Sequence, residues 1–154
     1  MNKEFIRVRS VKDYTIILTL IVAGAVLSAI QGNTSLSITG CFLVFGGIVL
    51  ALFLKTGYKD PETGIKYRKS EQFFQQTMHA PILTAIEAKP ESIDVSQEGK
   101  GNSIRLDVYY NESAGKAYLQ LFEYVPYKYE PCTAVFEHEI SSVKILINFR
   151  YMDY

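Results

Sequence analysis

The sequence predicts an α+β chain, with an N-terminal two-helix transmembrane hairpin followed by a small domain holding an antiparallel β-sheet and one to three helices. Three observations carry this. Residues 14–30 and 36–54 form two uncharged apolar runs separated only by residues 31–35. Residues 104–110 and 117–125 alternate side-chain character with the period of two that marks half-buried strands. Between the apolar runs and these strands, residues 70–89 carry Phe73, Phe74, Met78, Ile82, Leu83 and Ile86 at helix-like spacing. The expected organisation is a cytoplasmic basic tail over 1–13, a hairpin over 14–54, a basic juxtamembrane loop over 55–69 and a cytoplasmic α+β domain over 70–154.

The tail holds Lys3, Arg7, Arg9 and Lys12 against Glu4 and Asp13. The runs that follow span about 25 and 28 Å as helices, close to the roughly 30 Å hydrocarbon core of a bilayer. In lipid every backbone amide needs an internal partner, so both runs are helical. The link 31–35 is uncharged, and basic residues flank the outer ends of the hairpin. The excess of Lys and Arg predicts both termini in the cytoplasm. The first run also has the basic start and small residues, Ser28 and Ala29, of a signal sequence. The domain remains cytoplasmic on either reading. Small residues favour close packing of the two helices: Thr15, Thr19, Ala23, Gly24 and Ser28 on the first, and Gly40, Gly47 and Ala51 on the second. No ionisable residue lies within either run, which argues against an ion pathway through one copy.

Residues 56–64 contain Gly57, Asp60-Pro61 and Gly64, a tight reversal flanked by Tyr58 and Tyr67. Lys55, Lys59, Lys66, Arg68 and Lys69 lie here, and they suit anionic lipid headgroups. Residues 70–78 are expected as a helix capped by Ser70, and a second helix enters through Pro81 and ends at Pro90. Ile93 and Val95 suggest a short strand. The loop 97–102 precedes a strand with Ile104, Leu106, Val108 and Tyr110 on one face and Arg105, Asp107 and Tyr109 on the other. A turn at 111–115 pairs it antiparallel with 117–125. Residues 132–135 are a further candidate strand. Residues 141–151 fit a strand or a helix, and Ser141 or Ser142 as a cap favours the helix.

Composition excludes several functions. The chain of 154 residues holds 16 basic and 16 acidic residues, without a global nucleic-acid signature. Cys41 and Cys132 fall in different phases, so no disulfide is expected between them. Glu137, His138 and Glu139 alternate across a strand and cannot converge on a metal, and no Cys-x-x-Cys or His-x-x-x-His spacing occurs. Cys132 with His79 or His138 would be a catalytic pair only if the fold joined them. Gly99, Lys100 and Gly101 lack the spacing of a phosphate loop. Asn33 and Asn111 match glycosylation acceptors by chance, given the topology. No catalytic residue, metal or cofactor is expected.

The unusual feature is aromatic. Tyr118, Phe122 and Tyr124 share one strand face, and Tyr127 and Tyr129 follow Pro126. That face must be covered by the helix expected at 70–78, by a partner or by a ligand. The expectation is a non-enzymatic two-pass protein of the bacterial inner membrane. Its domain binds a protein partner, or another copy, as an assembly or regulatory subunit. The alternative is a ligand-sensing effector whose hairpin oligomerises.

Overall fold

In the computed structural model the described residues are 3–30 and 32–148. They form two compact units, one of residues 6–57 and one of residues 3–5 with 58–148. The architecture is α+β, with four helices and an antiparallel curled sheet.

The first unit holds a short strand β1 (Ile6–Val8) and two helices, α1 (Val11–Ser28) and α2 (Thr34–Phe53). Both helices are long and apolar enough to cross a membrane. Ser10 and Asp13 begin α1 with a reciprocal capping box, and Asn33 caps α2 through Leu36 N–H. A Cβ on Gly24 would lie 2.7 Å from Gly40 O, so the helices touch through backbone there, and one on Gly47 would lie 2.7 Å from the Ile21 side chain at Cγ1. Ile17, Gly24, Gly40 and Gly47 are buried, and Ser28 Oγ donates to Gly24 O at 2.8 Å. Thr15, Thr19 and Ala23 lie on the exposed side of α1, so the expected stripe through them is not the contact. Ala51 is half-buried.

The second unit is a sheet in the order β2 (Gly57–Lys59), β3 (Lys66–Phe74), β4 (Ile104–Asn111) and β5 (Lys116–Val125). The outer edge of β5 is shared by β6 (Lys128–Pro131) and β7 (Phe136–Glu139). Helices α3 (His79–Ala88) and α4 (Ile140–Asn148) cover one face. There Phe74, Ile104, Leu106, Val108, Leu119 and Leu121 are fully buried with Ile82, Ile86, Val143 and Leu146. Gln72, buried on that face, donates to Leu146 O and ties α4 to β3.

The helix expected at 70–78 is instead the second half of β3, ended by a 3₁₀ turn at Gln76–Met78. Seven residues, Arg68 to Phe74, pair with β4. This pairing overrides the weak helical preference of Ser70, Glu71 and Gln72. Phe73 and Phe74 then point to opposite faces, which a helical reading merges into one. Ile93 and Val95 likewise border 3₁₀ turns, Pro90–Ser92 and Val95–Gln97, rather than forming a strand. The strand expected at 132–135 starts later, at Phe136. The ambiguous 141–151 segment is helical as far as Asn148; residues 149–151 lie outside the described residues.

Candidate functional site

The sheet face opposite α3 and α4 carries three neighbouring clusters. The first is aromatic. Tyr67, Tyr109 and Tyr118 are buried together, although each occupies a different strand. Phe5 stacks on Tyr109 with ring centroids 4.2 Å apart and meets Tyr67 and Tyr118 at 5.4 and 5.6 Å. Lys3 lies beside it, its Nζ 2.9 Å from Asp60 Oδ2 and 3.2 Å from the Tyr118 hydroxyl. The same ammonium sits 4.3 Å from the Tyr118 ring centroid. Asp60 is fully buried and is fixed by its own turn, accepting from Glu62 N–H at 3.0 Å and Thr63 Oγ1 at 2.7 Å.

Charge and burial compete at this cluster. Burial opposes ionisation of Asp60, but hydrogen bonds from Lys3, Thr63 and the Glu62 amide hold its carboxyl down at about 2. Burial likewise works against the Lys3 ammonium, and its bonds to Asp60 and Tyr118 outweigh this and raise it above the ordinary lysine value. Burial pushes the hydroxyls of Tyr67 and Tyr109 up to about 12.

The second cluster is ionic. Asp107 is fully buried on β4, with Lys69 Nζ at 2.8 Å and Arg105 Nε at 2.9 Å, and Lys69 also reaches Glu71 at 2.5 Å. Burial pushes the Asp107 carboxyl up against the pull of Lys69 and Arg105. The third cluster lies toward the far ends of β4 and β5. The Arg105 guanidinium sits 4.5 Å from the Phe122 ring and 4.8 Å from the Tyr129 ring. Tyr124 packs edge-on against Tyr129 at 5.3 Å and is 52 % exposed.

The tip between β5 and β6 is a two-residue reversal, with Val125 opposite Lys128. Tyr127 takes φ +74° there and is 97 % exposed. Pro126 followed by a positive-φ residue is the pattern of a type II turn, whose second central position favours glycine. A bulky side chain held in that conformation and fully in solvent is unusual.

The expected aromatic face therefore divides. Tyr118 belongs to the buried cluster under Lys3 and Phe5. Phe122 and Tyr129 are half-buried against Arg105. Tyr124 and Tyr127 are open. No helix of the described residues covers Phe122, because the segment expected to do so is β3. Among the basic residues, Lys55, Lys66 and Arg68 are exposed and Lys59 half-buried. Lys69 is committed to Asp107 and Glu71, so it is not a headgroup ligand.

The remaining candidates stay apart. Glu137 pairs with Lys116 at 2.5 Å, while His138 Nε2 lies 2.6 Å from Ile86 O on the helix-covered side. Cys132 Sγ donates to Leu121 O at 3.4 Å, and burial pushes its thiol up, opposite to an activated nucleophile. Among the described residues no group of three His, Cys, Asp or Glu side chains could hold a metal ion. A depression along α3, about 670 Å³, is lined by Ala80, Pro81, Thr84, Ala85, Ala88, Lys89 and Ser92, with no carboxylate or imidazole.

No protein family, curated protein or solved structure matches this chain.

Lys3, Phe5, Asp60, Tyr67, Tyr109 and Asp107 escaped the sequence reading of a site. Two signals were available. Arg105 and Asp107 are charges inside a strand whose neighbours Tyr109 and Tyr110 are aromatic, so they need partners on the same face. Phe5 is a lone aromatic in a charged tail, where solvent exposure gains nothing. Asp13 was also missed: it accepts from Ser10 N–H, Thr56 N–H and Thr56 Oγ1 at 2.8, 2.9 and 2.7 Å. The Ser10-x-x-Asp13 capping pattern was its signal.

Proposed function

We propose that this chain is a two-pass membrane protein with both termini in the cytoplasm, whose α+β domain binds a protein partner as an assembly or regulatory subunit. The membrane assignment is supported by apolar exposure. Phe42 is 71 % exposed, Leu18 63 % and Leu52 64 %. Only 17 % and 11 % of the two spans are buried, unlike the core helix of a water-soluble protein. The topology is supported by Lys3 and Phe5. They precede the first helix yet pack on the domain that follows the second, so the two crossings bring the chain back to its starting side. Cleavage of the first helix as a signal sequence would remove both residues.

The partner reading rests on one observation: Tyr127, fully exposed and held at positive φ beside open Tyr124. Aromatic anchors of this kind dominate interface energy. The tip lies at the end of β5 remote from Lys116, whereas the chain enters the sheet through β2, beside the Lys66 end of β3. Lys55, Lys66 and Arg68 at the entry end are the proposed headgroup contacts. The reading invokes no catalytic step or cofactor. Tagged wild-type chain, purified from native membranes, is expected to recover a stoichiometric protein that Tyr124→Ser/Tyr127→Ser loses with no change in unfolding midpoint. Equal recovery by both would overturn it. A reporter active only outside the cytoplasm should be silent after Tyr154 and active when inserted in residues 31–35.

A further inference from the structure

We infer that the site formed by Asp60, Tyr67, Tyr109 and Tyr118 recognises an extended peptide bearing a lysine two residues ahead of an aromatic ring, and that the chain's own Lys3 and Phe5 occupy it in cis as a displaceable strap. The inference goes beyond the exposed strip and stands whether or not that strip binds a partner.

The strap is read by its side chains. Lys3, Glu4 and Phe5 belong to no strand, and exposure alternates along them: Lys3 and Phe5 turn inward and Glu4 faces solvent. That alternation is how an extended peptide lays every second side chain into a site. Each inward residue meets a complementary feature. The ammonium meets a buried carboxylate, a phenol oxygen and the Tyr118 ring. The phenyl ring lies among three tyrosines.

The receptor side is built without the strap. Tyr67, Tyr109 and Tyr118 are placed by the β3–β4–β5 pairing, and Tyr109 is directly opposite Tyr118. Asp60 is placed by its turn. What the strap adds is the cation for Asp60 and the ring over Tyr109. A segment with the same two side chains in any protein has the chemistry to replace it. Tethering gives the resident strap the advantage of a high local concentration, so an incoming peptide binds weakly until the strap is lifted.

The test uses the full chain in detergent micelles and a labelled peptide copying residues 3–8. Lys3→Gln/Phe5→Ala empties the site and should bind this peptide roughly tenfold or more tightly than wild type. Adding Asp60→Asn to that variant should remove the gain. Equal affinity of wild type and the emptied variant would overturn the inference. Because the emptied variant could fail to fold, a second measurement replaces Phe5 by photoreactive benzoylphenylalanine. Irradiation should join it to strands β3, β4 or β5 of the same chain, and excess unlabelled peptide should suppress that product, while a peptide with Gln and Ala at the two positions should not. Products with lipid or a second copy, or a product that excess peptide leaves unchanged, would overturn it.

Discussion

The two faces of the β3–β4–β5 sheet are built on different physics. The face under α3 and α4 is dry and aliphatic, with Phe74, Leu106, Leu119 and Leu121 fully buried. Among the described residues of its unit no helix lies on the opposite face, yet that face buries Asp60, Tyr67, Asp107 and Tyr118. It does so with an N-terminal strap and with ion pairs rather than with a helix. The first face is held by volume, the second by specific partners. Cavity formation should therefore damage the first, and loss of a partner the second.

The sharpest break is expected on the helix-covered face. Leu119→Ala should cost about 3–5 kcal/mol, the range for a fully buried leucine with no room to collapse. Urea unfolding of the chain in detergent micelles measures it, and a loss below about 1 kcal/mol would show that this face is not the core. Next comes Asp107→Ala, which strands Lys69 and Arg105 against their remaining contacts. About 2 kcal/mol should be lost, and most of it should return in Lys69→Met/Asp107→Leu, because an apolar pair can replace a buried ionic one.

Phe122→Ala separates the faces more finely. A phenylalanine sandwiched under a helix would behave like Leu119. Half-buried against a guanidinium, Phe122 should cost only about 1 kcal/mol. Proton titration then distinguishes the strap. The Asp60 carboxyl is held near 2 in the folded chain. Its contribution is complete above the ordinary carboxylate range of about 4 and disappears as pH falls from there toward 2. Intrachain crosslinking from position 5 should fade over that acid window, and crosslinking that persists at pH 2 would break the assignment. At the alkaline end Tyr67 and Tyr109 should ionise only near pH 12 in an ultraviolet titration.

The smallest effect has the opposite sign. Tyr127→Gly removes a side chain from the left-handed region and should raise stability by about 1 kcal/mol. A destabilised Tyr127→Gly would mean that the exposed ring packs on the chain after all.

This contrast also explains what the sequence could disclose. The alternation from Ile104 to Tyr110 and from Ala117 to Leu121 assigned both strands and their common dry face, because a helix-covered face demands aliphatic side chains at every second position. The same alternation grouped Tyr118, Phe122 and Tyr124, and it could not say what covers each. Tyr118 is covered by residues more than a hundred positions away, Phe122 by Arg105 across the strand pair, and Tyr124 by little. β3 was missed for a related reason. Its register, Arg68 opposite Tyr110 and Phe74 opposite Ile104, is a long-range match that local helix signals at Ser70 and Glu71 contradict. The hairpin was plain from its uncharged runs. Its contact was only half legible: Gly40 and Gly47 lie in it, while the Thr15–Thr19–Ala23 spacing points outward.

Lys3 and Tyr118 are separated by 115 positions, and that separation has a consequence in time. At ordinary rates of synthesis the first of them waits roughly 6 to 23 s for the second to leave the ribosome. Every nascent copy thus carries an unsatisfied tail while both apolar helices and most of the sheet are being made. Closing so long a loop is entropically slow to nucleate but gentle in its dependence on length. Lys3 is consequently among the last residues to settle although it is made well before its partner, and each newly made chain passes through an interval in which its tyrosine site stands vacant.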